Sequence, residues 1–165
     1  MALDITAYSK LRLATDESAI NSDRHPNITR LALKFTEMNW PGRTEGLAPG
    51  VHEYHDSYGF RAGSYSGYND WRRDLCLLAH KHSIEQLWRL TRPTGAFVEL
   101  LCFADNEGLI GPVVSAKLAK DFTDWQARAE MHATEIPDGG WWLDLYNKWR
   151  LAFALAADGG CVEFH

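Results

Sequence analysis

Behind Pro112, six residues recur at spacings of 4, 4, 3, 4 and 3: Val114, Leu118, Phe122, Trp125, Ala129 and His132. Only an α-helix lines such a series along one face, so the chain must bury a long helix against a partner layer. Pro suits the first helical position, where its fixed φ is already helical and its missing N–H has no intrahelical acceptor. Pro137-Asp138-Gly139-Gly140 closes the run, and the spacing predicts a helix over about residues 111–134. A second face, Trp142, Leu145, Trp149, Ala152, Phe153 and Ala156, predicts a helix over about 139–157, with Asp138 as its cap. A third, with Tyr68, Trp71, Leu75, Leu78 and Ala79, predicts one over about 67–80, opened by Ser66 or Gly67. Ser83 with Gln86 forms a capping box for a short helix running to Leu90.

The first half reads differently. Short alternating apolar stretches at 3–8 (LDITAY) and 31–36 (LALKFT) predict strands, as do 51–54, 58–62 and the final CVEFH. FVELLCF at 97–103 is too short for periodicity to separate helix from strand, and we read it as strand. Asp16 to Asn27 is polar and loop-like, and Trp40-Pro41-Gly42 carries a type II turn signal. The expected fold is α+β: a single domain over 1–165, with a small, mostly antiparallel sheet of four to five short strands packed on three or more helices.

Composition bounds the setting. An apolar fraction of 45% with seven tryptophans excludes disorder. No run approaches the roughly 20 apolar residues that cross a bilayer, and MALDITAYSKLRL lacks the pattern of a signal peptide. Cys76, Cys102 and Cys161 are odd in number and widely spaced, which suits reduced thiols in a cytoplasm. A net charge of −5 with mixed signs disfavours nonspecific nucleic-acid binding.

One pentapeptide pattern occurs twice, YNDWR at 68–72 and YNKWR at 146–150. The flanks, RAGSYSG and GGWWLDL, do not match, so a duplicated unit is poorly supported. Tyr and Trp three apart make a buried stripe, and Arg four residues after Tyr can stack on its ring. What precedes the first copy is more specific. Gly63-Ser64-Tyr65-Ser66-Gly67 leads from a strand into a helix entrance, where small residues and the partial positive charge of first-turn N–H groups favour an anion. The candidate ligand-binding residues are Arg61, Ser64, Tyr65, Ser66, Arg72 and Arg73; the alternative is a simple helix cap with Ser66 bonding the first N–H groups. The G-x-S-x-G elbow fails because Tyr65 replaces the serine, and the phosphate loop fails because no Lys follows.

Asp105-Asn106-Glu107-Gly108 is a second candidate, in which Asp105 and Glu107 could hold a divalent ion or act as an acid/base pair, or simply form a solvated turn. Seven histidines, among them His25, His52, His55, His80, His82, His132 and His165, show neither H-E-x-x-H nor a paired C-x-x-C, and no metal site or cofactor is expected.

The segments FRAGSYSGYNDWR, FADNEGLIGPVVSAKLAKDF and YNKWRLAFALAADGGCVEFH resemble those of an uncharacterised family of small proteins met in bacterial and phage genomes. The resemblance spans roughly residues 51–165, with LDITAYSKL as a further match, and implies a cytoplasmic, phage- or prophage-encoded setting without supplying a catalytic residue. The expected function is noncatalytic binding of a small anionic, nucleotide-like ligand or of a host protein. The alternative is a metal-assisted hydrolase using Asp105, Glu107 and a histidine.

Overall fold

The computed structural model of the protein describes residues 1–14 and 27–165. Of the polar stretch expected as loop from Asp16 to Asn27, residues 16–26, with His25, lie outside the described residues. In chain order the elements are β1 (Ala2–Tyr8), β2 (Arg12–Leu13), β3 (Ile28–Leu31), α1 (Lys34–Asn39), β4 (Gly50–Glu53), β5 (Ser57–Ser64), α2 (Tyr65–His80), α3 (Ile84–Trp88), α4 (Val98–Leu101), β6 (Gly108–Ile110), α5 (Pro112–Asp124), α6 (Gln126–Glu135), α7 (Gly139–Ala156) and β7 (Cys161–Phe164). The fold is α+β, as expected.

Two antiparallel sheets form where one was expected. The larger has the order β5-β1-β7-β6 and the smaller β2-β4-β3. Alternation along β1 explains the layering. Leu3, Ile5 and Ala7 point into the main core, which they share with Trp71, Trp142, Trp149 and Phe153 of the helices. On the other face Tyr8 meets Cys161, Leu109, Leu31 and Leu33 in a second, smaller core. Helices therefore cover one face of the larger sheet, and the smaller sheet with α1 covers part of the other. Gly160 allows the last strand to enter: a Cβ there would stand 1.7 Å from the Tyr8 carbonyl oxygen.

Local signals placed several boundaries well. Pro112 is the first residue of α5, and Ser83 and Gln86 make the reciprocal capping box at α3. Arg43 N–H donates to the Trp40 carbonyl across Pro41-Gly42, with Gly42 at φ 86°, as the type II turn requires.

Five expectations about elements and caps need correction. FVELLCF at 97–103 is not a strand but holds the short helix α4, because Asp121 Oδ2 accepts the Phe97 N–H at 2.9 Å and fixes Phe97 at φ 62°, turning the chain into a helical turn. The stretch 31–36 ends a strand at Leu31 and starts α1 at Lys34; buried Thr36 accepts the Leu109 N–H through its hydroxyl, so its role is to tie α1 to β6. The helix expected over 111–134 divides at Trp125 (φ −96°, ψ 2°) into α5 and α6, while Leu118, Phe122 and Ala129 remain buried on one side. Asp138 stands before α7 but at φ 54° and makes no side-chain cap; at α2 the cap is Ser64, whose Oγ accepts the Gly67 N–H at 3.1 Å, and not Ser66.

Candidate functional site

The two Tyr-Asn-x-Trp-Arg copies lie on α2 and α7 and pack on each other. The Trp71 and Trp149 rings stack with centroids 6.0 Å apart, and Tyr68 lies 5.7 Å from Trp149. Beside them, Trp71 Nε1–H donates to the Trp142 carbonyl at 3.1 Å and Trp142 Nε1–H donates back to the Trp71 carbonyl at 3.2 Å. This reciprocal staple satisfies two indole donors in a region without water access.

The arginines expected around an anion diverge. Arg61, on the outer face of β5, makes a two-point ion pair with Asp4 across the β1–β5 register, at 2.9 and 3.2 Å, which holds the Asp4 carboxyl below its ordinary range. Arg73 is exposed and bonds Asp70 and Glu85. Arg72 is buried, with its guanidinium 5.3 Å from the centroids of both Tyr68 and Trp88.

Arg72 has a clear structural task. Its Nη1 donates to the Phe103 carbonyl at 2.9 Å, Arg43 Nε to that of Glu99 at 3.0 Å, and Trp88 Nε1 to that of Leu101 at 3.0 Å. Together these side chains satisfy the carbonyls that the end of α4 leaves without intrahelical donors. Ser64 and Ser66 share a hydrogen bond at 3.1 Å at the α2 entrance.

Of the acidic turn, Asp105 accepts from Asn69 Nδ2 at 2.8 Å and faces α2, whereas Glu107 is exposed. His80 and His82 bond the carbonyls of Ala96 and Ser83, and buried His52 bonds that of Gly50. Among the described residues, no three His, Cys, Asp or Glu side chains are grouped so as to hold a metal, and no helix is long and apolar enough to cross a membrane.

Two of the sequence candidates do meet. Tyr65 and Glu107 line one cleft of about 480 Å³, together with Arg30, Phe35, Glu163 and His165. It opens where β7 and β6 end against β3 and α1. Antiparallel pairing sets Glu163 opposite Thr6, on the sheet face away from the helices. Glu163 Oε2 accepts from the Tyr8 hydroxyl at 3.5 Å and lies 3.9 Å from His165 Nε2, which also shares a 3.0 Å hydrogen bond with the Thr6 hydroxyl. Burial raises the Glu163 carboxyl above its usual range, against the opposing pull of His165 and the Tyr8 hydroxyl.

Arg30, Glu163 and His165 were not among the candidates read from the sequence. The alternation of CVEFH carried part of the signal: Glu163 and His165 fall on one strand face, and Val162 and Phe164 on the other. Arg30 comes to the same cleft from β3 of the smaller sheet, whose pairing with β4 no local pattern reports. No known family model matches the chain, and neither a curated protein nor a solved structure is similar to it.

Proposed function

We propose that the protein is a noncatalytic binder of a small anionic, nucleotide-like ligand that enters the cleft between the two sheets. The observation that carries this reading is the meeting of Tyr65, Phe35, Arg30, Glu107, Glu163 and His165 around one cavity of about 480 Å³. That volume falls in the range of small-molecule sites, which are about 300–1,000 Å³. Phe35, 44% exposed, and half-buried Tyr65 offer ring faces for a flat heterocycle. Arg30 supplies a fork of donors for a phosphate, and the carboxylates supply acceptors for the N–H groups of a base. The resemblance to small bacterial and phage proteins supports a cytoplasmic, phage- or prophage-encoded setting, in which sequestering such a ligand is one mode of action. Three unpaired thiols suit the same compartment.

Thermal denaturation in the presence of a panel of nucleotides, with and without Mg²⁺, tests this. Ligand at a hundredfold excess over Kd adds about 2.7 kcal/mol, or roughly 5–10 °C in Tm for a chain of this size. Stabilisation with no change in the nucleotide is the expected result. Metal-dependent product formation would instead favour a metal-assisted hydrolase using Asp105, Glu107 and a histidine, and silence across the whole panel would leave a host protein as the partner.

A further inference from the structure

We infer that Glu163 reads the base of the ligand and that the base is guanine. The inference rests on the nucleotide reading of the same cleft and adds its specificity. Glu163 enters the cleft from β7, its side chain only 22% exposed. Its Oε2 receives the Tyr8 hydroxyl at a long 3.5 Å, while among the described residues no hydrogen bond reaches Oε1. Glu163 lines the cleft, so a ligand bound there can use the acceptor capacity that the Tyr8 hydroxyl leaves.

An ionised carboxylate is acceptor-only, and its two oxygens match two parallel N–H donors. Guanine offers that arrangement, with N1–H beside the exocyclic amine. Adenine and cytosine each present one donor next to a ring nitrogen lone pair, which would face a carboxylate oxygen and repel it. Uracil presents a single N–H between two carbonyls. The remaining groups are placed to support this reading. His165, held by Thr6 at 3.0 Å, orients the carboxylate from the same strand, and Arg30 stands across the cleft to take a phosphate.

Calorimetric titration of the full chain and of Glu163→Gln with GMP, IMP, AMP and CMP tests the inference. The wild type should bind GMP about 10–100-fold more tightly than AMP or CMP, the range of one good bidentate contact, with IMP between because it keeps N1–H and lacks the amine. Glu163→Gln, an isosteric change that replaces one acceptor by a donor, should bring GMP and AMP to within a fewfold of each other. Equal binding of AMP and GMP by the wild type, a measurement that needs no variant, overturns the guanine assignment and leaves the nucleotide reading standing. A GMP preference that persists in Glu163→Gln overturns the role of Glu163. If none of the four binds, the nucleotide reading fails and this inference with it.

Discussion

At Tyr146 the phenol donates to the Phe122 carbonyl at 2.6 Å, whereas the equally buried phenol of Tyr68 makes no hydrogen bond with a described residue. The other positions differ in the same systematic way. Trp71 bonds through its indole N–H, and Trp149 finds no such partner among the described residues. Arg72 is buried and caps α4, while Arg150 is half-buried with its Nε unpartnered among the described residues. Asn69 reaches Asp105, and Asn147 receives Gln126. One five-residue pattern thus serves two helices whose rings pack together, while the polar tips of the two copies meet different backbone and side-chain groups, or none among the described residues. Shared sequence here reflects a shared packing need and not a shared site.

Substitutions matched between the copies test that difference. The largest effect should come from Trp149→Ala or Trp71→Ala, each removing a fully buried indole at a cost of about 3–5 kcal/mol in chemical denaturation. Their phenylalanine variants should separate: Trp71→Phe also breaks the staple to the Trp142 carbonyl and should cost about 1 kcal/mol more than Trp149→Phe. Next, Arg72→Ala leaves the Phe103 carbonyl without its charged donor and should cost about 1.5–3 kcal/mol, with Arg150→Ala well below it; equal losses would mean that the α4 cap contributes nothing.

The tyrosines should give smaller numbers. Tyr146→Phe should lose about 1 kcal/mol and Tyr68→Phe close to none, because among the described residues only the Tyr146 hydroxyl has a partner to lose. Small too, and opposite in sign, is the effect of Glu163→Gln on stability, which contrasts the packed helices with the cleft. The Glu163 carboxyl is raised in the folded state, so its contribution to stability is full below the unfolded carboxyl pKa of about 4.3 and is lost as pH rises through the higher folded value. Glu163→Gln should therefore melt slightly higher than wild type at pH 7, with the gain vanishing near pH 4. A variant less stable at pH 7 would mark Glu163 as a structural group.

The fold was most legible where the cause is local. Pro112, the Ser83–Gln86 box, the Pro41-Gly42 turn and the alternation of β1 each depend on residues within a few positions of one another. The α4 segment was misread because seven mostly apolar residues suit either a buried strand or a helix, and the distant Asp121 decides between them. The break at Trp125 escaped notice because α5 and α6 keep their buried residues on a common side through it. The cleft was least legible of all. Tyr65 and Glu107 stood out for their local motifs, but Glu163 and His165 join them through the pairing of β1 with β7, which spans almost the whole chain, and Arg30 arrives from the smaller sheet. The Arg61, Arg72 and Arg73 cluster, close in sequence, is spread by β5 and α2 toward Asp4, the end of α4 and Glu85.

Backbone amide chemical-shift mapping during a GMP titration tests most directly whether binding and packing are divided between the cleft and the paired helices. We expect the largest changes at Arg30, Phe35, Tyr65, Glu107, Glu163 and His165, with residues 68–73 and 146–150 nearly still. Changes centred on 68–73, with the cleft silent, would contradict that division and return function to the YNDWR helix.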